Sequence, residues 1–150
     1  MQRRPAVGAA LAGLILVAAA LGLGGLPLSD PHVYDKVNAV ADSLGLSSIG
    51  TTVYQGRSGT GQFSHNAPSL VWVLSGAGVK ATVEKALVRA GYAPNITSQP
   101  IGKPETWGRV GQTSTQLVSL IVLPAGATFQ DAQNKDRTVV DDAVEVFISS

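Results

Sequence analysis

The stretch that decides the fold is LVWVLSGAGVKATVEKALVRAGY, residues 70–92. Its first five residues are apolar, β-branched or aromatic on both faces, which predicts a central strand. Residues 75–78 predict a turn, and residues 79–90 carry apolar and charged side chains on opposite faces with the period of a helix. Gly91 ends that helix. This order predicts an α+β domain in which the helix packs on one face of a sheet.

The segments that follow add further strands. Residues 115–123 contain a continuous apolar run, which predicts a strand buried on both faces, and residues 143–148 alternate as a final strand. Residues 95–111 are rich in Pro and Gly, so any strands there are short or at an edge. Residues 128–135 predict one or two helical turns. The predicted fold is a small sheet of three or four strands with one main helix packed on it.

The strand-turn-helix stretch also resembles a known family. Residues 71–79 (VWVLSGAGV) and 87–92 (LVRAGY) are similar to the opening of the C-terminal domain of LytR-type envelope proteins, V-x-V-L-N-G-x-G-V followed by L-x-x-A-G-F/Y. Ser75 stands in place of the family's Asn, and the helix is shorter by roughly one turn. The resemblance implies an extracytoplasmic, non-catalytic domain tethered by one N-terminal helix.

A long uncharged segment precedes this domain. Pro5–Ser29 are 25 residues without a charge. As a helix, residues 6–28 would span about 35 Å, slightly more than the hydrocarbon core of a bilayer. Arg3 and Arg4 precede the segment and the acidic Asp30 follows it, so the positive-inside rule places the N-terminus in the cytoplasm and the rest outside. The sequence therefore predicts a single-pass membrane anchor.

A cleaved signal peptide is the alternative for the same segment. Ala18, Ala19 and Ala20 form a small-x-small cleavage site. Cleavage near Ala20 would release a small secreted enzyme or metal-binding protein. The apolar character continues past this site to Leu28, which favours the anchor. In either case the exported domain has no cysteine, so a packed core must stabilise it without disulfides.

Composition divides the chain into four parts. These are a membrane anchor or signal segment, a juxtamembrane helix, a Gly/Ser-rich linker or hairpin, and an α+β extracytoplasmic domain, at residues 1–28, 29–46, 47–69 and 70–150. Asp30 and Pro31 predict the start of the juxtamembrane helix and Gly45 its end. A short strand is predicted near residues 51–55. The membrane is the predicted partner of residues 5–28.

Side chains suited to catalysis are few. The only histidines are His32 and His65, whereas a metal site needs three or four converging donors. Ser64 beside His65 lacks the third group that a nucleophile–base pair needs. The glycines at 76 and 78 fit a dinucleotide-binding fingerprint only in part, because no acidic residue follows about 20 residues later. The sequence predicts no enzyme activity, cofactor or metal.

Binding or assembly outside the cytoplasm is the predicted role. Without Arg3 and Arg4, the 11 basic residues become 9, against 10 acidic ones, which disfavours nucleic acid. The candidate binding surface comprises Arg57, Trp107 and Arg109, because an Arg beside an aromatic residue in an irregular segment is a common contact type. A core position is the alternative for Trp107. The predicted partner is a protein or an envelope component, and a homo-oligomer is left open.

Overall fold

The computed structural model describes residues 32–59, 67–96, 99–111 and 116–150. These form two α-helices, a short 3₁₀-helix at Leu46–Ser48, and eight strands. The helices and strands are α1 (Asp35–Leu44), β1 (Thr51–Ser58), β2 (Ser69–Ser75), α2 (Val79–Arg89), β3 (Tyr92–Ile96), β4 (Glu105–Arg109), β5 (Leu117–Leu123), β6 (Thr128–Gln130), β7 (Asp136–Thr138) and β8 (Ala143–Ser149). The predicted membrane segment lies outside the described residues, and none of the helices within them is long and apolar enough to span a bilayer.

The main sheet is antiparallel throughout, with strand order β1-β2-β8-β5-β4-β3. The α+β class is confirmed, but the prediction of three or four strands and one main helix was wrong, since six strands pair and two helices cover them. The strands that exceed this count are β1, β3 and β4, which lie in segments rich in Gly, Ser or Pro. For these segments the sequence predicted at most a short strand near residues 51–55 and short or edge strands within residues 95–111. Pairing with a neighbouring strand outweighs their weak intrinsic preference for a strand.

Two of the four inner strands, β2 and β8, organise the sheet. Every residue of β2 is buried, as expected for a strand with β1 on one side and β8 on the other. β8 pairs along its whole length with both β2 and β5. The predicted strands at residues 70–74 and 143–148 are therefore confirmed. At the far edge, β3 contains Pro94, a residue that edge strands tolerate because they leave some N–H groups unpaired.

Both helices pack on one face of the sheet. Each buries an apolar stripe, formed by Val37, Val40, Ala41 and Leu44 in α1 and by Val79, Val83, Ala86 and Leu87 in α2. These stripes meet Leu70, Trp72 and Val146 of the sheet in the main core. Helix α1 ends where predicted, because Gly45 has a φ of 65° and donates its N–H to the last carbonyls.

A hairpin of β6 and β7 covers one end of the opposite face. Phe129 packs there with Val73 of β2, and Tyr54 of β1 accepts a hydrogen bond from the Ala132 N–H at 2.8 Å. The helical turns predicted at residues 128–135 were therefore wrong. The carboxylate of Asp131 accepts hydrogen bonds from two backbone N–H groups, those of residues 133 and 135, and so fixes a tight turn between two short strands.

The buried carboxylate of Asp131 predicts a pH-dependent contribution to stability. The Lys135 N–H foremost, and also Arg137, hold the pKa of Asp131 below its usual value, despite its burial. This stabilisation is complete above the unfolded-state pKa of about 3.9 and is lost as the pH falls through the lower folded-state pKa. Urea unfolding at pH 7 and pH 2 should therefore show Asp131→Asn less stable at pH 7, with the difference shrinking in acid. The exposed Asp136→Asn is the control, and an equal difference at both pH values would contradict the assignment.

The rest of this face is not covered by the hairpin. In β5, Val118 and Leu120 are buried towards the helices, whereas Ser119 and Ile121 are only half-buried and Leu117 is 39% exposed. The prediction that this strand is buried on both faces was wrong, because the helices cover one face and the hairpin cluster reaches only Leu123 and, in part, Ile121. We call the partly exposed residues Leu117, Ser119, Ile121, Glu145 and Phe147 the open face.

Candidate functional site

Arg57, the first predicted binding residue, lies on the edge strand β1. Its guanidinium donates a hydrogen bond to Asn38 Oδ1 at 3.4 Å and stacks 5.3 Å from the ring centre of Tyr34. The Tyr34 hydroxyl in turn donates to the Gly59 carbonyl at the end of this strand. Arg57 therefore helps to hold α1 against β1, although its side chain stays exposed.

Trp107 and Arg109, the other predicted residues, point in the same direction from β4 but differ in burial. Trp107 is 5% exposed and belongs to the main core, and its indole N–H has no hydrogen-bond partner. Arg109 is exposed and lies 6.0 Å from the ring centre of Tyr92. Burial raises the pKa of Tyr92, and the charge of Arg109 opposes that shift. The structure thus places Trp107 in the alternative, core position.

The three predicted residues do not form one continuous surface. Arg57 is on β1 and Arg109 on β4, with β2, β8 and β5 between them. Four strand spacings separate the two arginines by about 19 Å. Arg109 instead lines a shallow cavity of about 290 Å³ together with Lys36, Ser43 and Gln116.

A larger cavity, of about 570 Å³, lies at the end of the sheet where β2 turns into α2. Ser75, the last residue of β2, pairs with Ala143, the first residue of β8. The turn that leaves β2 and the residues that enter β8 therefore meet at the same end. The turn at 76–78, Lys80, Asp141 and Asp142 line this space, with Val79, Val122 and Val144 as its apolar part.

Charged groups in the cavity wall are held by specific partners. Lys80 Nζ lies 2.7 Å from Glu84 Oε1 and 3.1 Å from Glu105 Oε2. The hydrogen bond with Glu84, with a smaller contribution from Glu105, raises the pKa of Lys80, so the amine is a cation at neutral pH. Asp142 Oδ1 accepts the Ala125 N–H at 2.9 Å. The ammonium and one of the two aspartates thus have fixed positions.

Ser75 adds a hydroxyl to this wall. The residue is only 9% exposed, and its hydroxyl makes no hydrogen bond to any described residue. With the carboxylate of Asp141 and the backbone of the turn, it provides donors and acceptors beside the apolar Val79, Val122 and Val144. The cavity can therefore accept a ligand that combines hydrogen-bonding groups with apolar surface.

From the sequence, the segments that line this cavity were predicted only as a strand, a turn and a helix, and not as a binding site. The turn predicted at 75–78 is confirmed at residues 76–78, after Ser75 closes β2, and its glycines at 76 and 78 have φ values of 140° and 67°. The ion pair between Lys80 and Glu105 joins α2 to β4 across 25 positions of sequence, and no local pattern signals it. The sequence offered one signal for the cavity, the positions of two turn segments. A Gly-rich segment follows the predicted strand at 70–74, and Asp141 and Asp142 precede the predicted strand at 143–148.

The described residues contain no group of three or more His, Cys, Asp or Glu side chains that could hold a metal ion. His32 precedes α1, and its Nδ1 lies 2.8 Å from Asp35 Oδ2. His65 and the Ala20 cleavage site lie outside the described residues.

Comparison with known proteins gave no match to a family model, a curated protein or a solved structure. The similarity of residues 71–92 to the LytR-type C-terminal domain therefore stays a prediction from the sequence.

Proposed function

We propose that this chain is a single-pass membrane protein of the cell envelope that presents a small binding or assembly domain outside the cytoplasm, without catalysing a reaction. The observation that carries the proposal is the uncharged segment Pro5–Ser29, which has two arginines on one side and Asp30 on the other. Its length matches a bilayer span, and its charge asymmetry gives the orientation. The proposed partner is a protein or an envelope component.

The cavity at the β2–α2 turn is the proposed ligand site. It lies on a turn between two regular elements, where Lys80 is fixed by its two glutamates. Groups fixed on a scaffold in this way bind without a large ordering cost. The mixture of a hydroxyl, carboxylates and three valines suits a ligand that is polar on one side and apolar on the other.

The absence of cysteine makes the membrane orientation directly testable. Val140→Cys introduces a thiol at a position that is 85% exposed, and Gln2→Cys introduces one before the membrane segment. A membrane-impermeant maleimide added to intact cells should label the first variant and label the second only after permeabilisation. Val73→Cys, at a fully buried position, controls for unfolding. Labelling of Gln2→Cys alone in intact cells would reverse the proposed orientation.

Intact mass distinguishes the anchor from the cleaved alternative. The full 150-residue mass in the membrane fraction is expected for the anchor. A product in the medium that lacks residues 1–20 would support the secreted form instead. The maleimide experiment alone cannot separate these two, because both place residue 140 outside.

Filling the cavity tests the proposed ligand site. Ala77 is exposed in the cavity wall, so Ala77→Trp should obstruct the space without disturbing the core. Ala81→Trp is the matched control, because Ala81 is exposed on α2 but does not line the cavity. In a deletion strain, Ala77→Trp should fail to restore the wild-type phenotype and Ala81→Trp should restore it, at equal amounts of protein in the membrane. Full restoration by both variants would exclude the cavity as the site.

A further inference from the structure

Glu145 occupies an unusual position for a carboxylate. It lies in the middle of β8, an inner strand of the sheet, and points away from the helices. Its cross-strand neighbours are Val73, which is fully buried, and Ile121, which is half-buried. Phe147, two residues along the same strand, presents its ring on the same face. A charged group thus stands among apolar side chains rather than at the sheet's rim.

The carboxylate of Glu145 has no partner of opposite charge. No salt bridge or side-chain hydrogen bond joins it to another described residue, and it is half-buried. This burial raises the pKa of Glu145, because water that would solvate the charge is partly excluded. A carboxylate that is neither fully solvated nor paired destabilises the fold on its own, and it gains most from an incoming cation.

We infer that the open face is a docking surface for a protein partner that places a basic side chain, flanked by apolar side chains, against Glu145. Leu117, Ile121 and Phe147 provide the apolar contacts around the carboxylate. Ser119 adds a hydroxyl within the same surface. This surface is distinct from the cavity at the β2–α2 turn and does not depend on it.

Charge argues against a second copy as the occupant. The main-sheet residues that share this face include no Lys or Arg, and Arg137 of the covering hairpin is already paired with Asp131 and stacked on Tyr54. Two copies stacked through the open face would bring Glu145 towards Glu145, and like charges in an interface are unfavourable. A basic partner instead completes the ion pair that the chain leaves open.

Two peptide probes that differ only in charge test this assignment. Acetyl-Leu-Arg-Leu-amide carries the proposed basic group between apolar side chains, and the citrulline peptide is its neutral counterpart. Each is titrated into the ¹⁵N-labelled full-length chain in detergent, and the backbone amide shifts are followed by NMR. The arginine peptide should bind about fivefold more tightly, as a partly buried ion pair requires, and should shift the amides of residues 117–121 and 145–147.

Two variants of the protein distinguish recognition of the peptide's charge from nonspecific apolar binding. Glu145→Gln should bind both peptides equally, whereas Asp42→Asn, which removes an exposed carboxylate from α1 on the other side of the sheet, should keep the fivefold preference. Equal binding of the two peptides to the wild type, shifts confined to other residues, or no binding would each overturn the proposal. The cavity and the membrane anchor would be untouched by that outcome.

The stability of Glu145→Gln shows that loss of binding is not loss of fold. Because the folded state raises the pKa of Glu145, the cost of its charge is absent below the ordinary glutamate pKa and grows as the pH rises through the folded value. Glu145→Gln should therefore have a higher urea midpoint than the wild type at pH 7 and an equal midpoint in acid. A lower midpoint at pH 7 would assign Glu145 a structural role and overturn the docking surface.

Discussion

Replacing Trp107 with Ala is expected to lower the free energy of unfolding by about 3–5 kcal/mol, as for other large aromatic side chains in a packed core. The indole is almost fully buried within the main core formed by the sheet and the two helices. Its cross-strand neighbours are Val118 on β5 and Pro94 on β3. Urea unfolding followed by circular dichroism measures the loss.

Two further variants test whether the loss of stability comes from removing a buried aromatic ring. Trp107→Phe should be much less destabilising than Trp107→Ala, because it keeps most of the ring and the indole N–H makes no hydrogen bond that could be lost. Arg109→Ala should change stability by about 0.5 kcal/mol or less, as exposed positions usually do. If Trp107→Ala left the urea midpoint unchanged, the residue would not be part of the core and its role as a binding residue would return.

Replacing Gly50 with Ala is expected to cost about 3 kcal/mol, from backbone strain and a steric clash together. Gly50 has a φ of 58°, in the left-handed region, where a side chain strains the backbone. A Cβ at this position would overlap the carbonyl oxygen of Ser75, which belongs to a fully buried strand and cannot retreat. The chain must therefore distort where it passes from the 3₁₀-helix into β1.

Gly45→Ala is the matched control for this variant. Its φ of 65° imposes nearly the same strain, but the nearest atom to a Cβ is Ser48 Oγ at 3.4 Å, an ordinary contact. It should cost about 1 kcal/mol, the usual penalty for Ala at a glycine-type helix end. Thermal unfolding of the two variants side by side isolates the clash at Gly50. Equal losses would show that β2 can move to accommodate the methyl group.

The elements predicted correctly are those in which the pattern of apolar residues within one short segment decides the structure. β2 and α2 were predicted nearly to the residue, because an apolar run and a helical stripe each follow directly from which faces are buried. β1 was predicted only as a short strand or hairpin within a linker. Its residues are mostly exposed, so its sequence shows no regular alternation of apolar and polar residues. Its pairing with β2 decides its conformation.

The candidate site depended on long-range pairing, which sequence reasoning could not supply. Trp107 was proposed as a contact because its segment contains Pro and Gly, yet pairing with β5 turns that segment into a strand with the indole inside. Glu145 was read as an ordinary member of an alternating strand. That strand proved to lie inside the sheet with one face open, and only this placement makes its carboxylate unusual.

The position of β8 has a consequence for how the chain acquires its structure. Among the described strands β8 is the last in sequence, yet it lies between β2 and β5 and is the only strand that joins the β1–β2 pair to the β5–β4–β3 meander. Until it emerges during synthesis, the two halves share no hydrogen-bonded pair and each has an unprotected edge. Such late, distant pairing makes folding slow. The two halves of the sheet can therefore be joined only after β8 has been made.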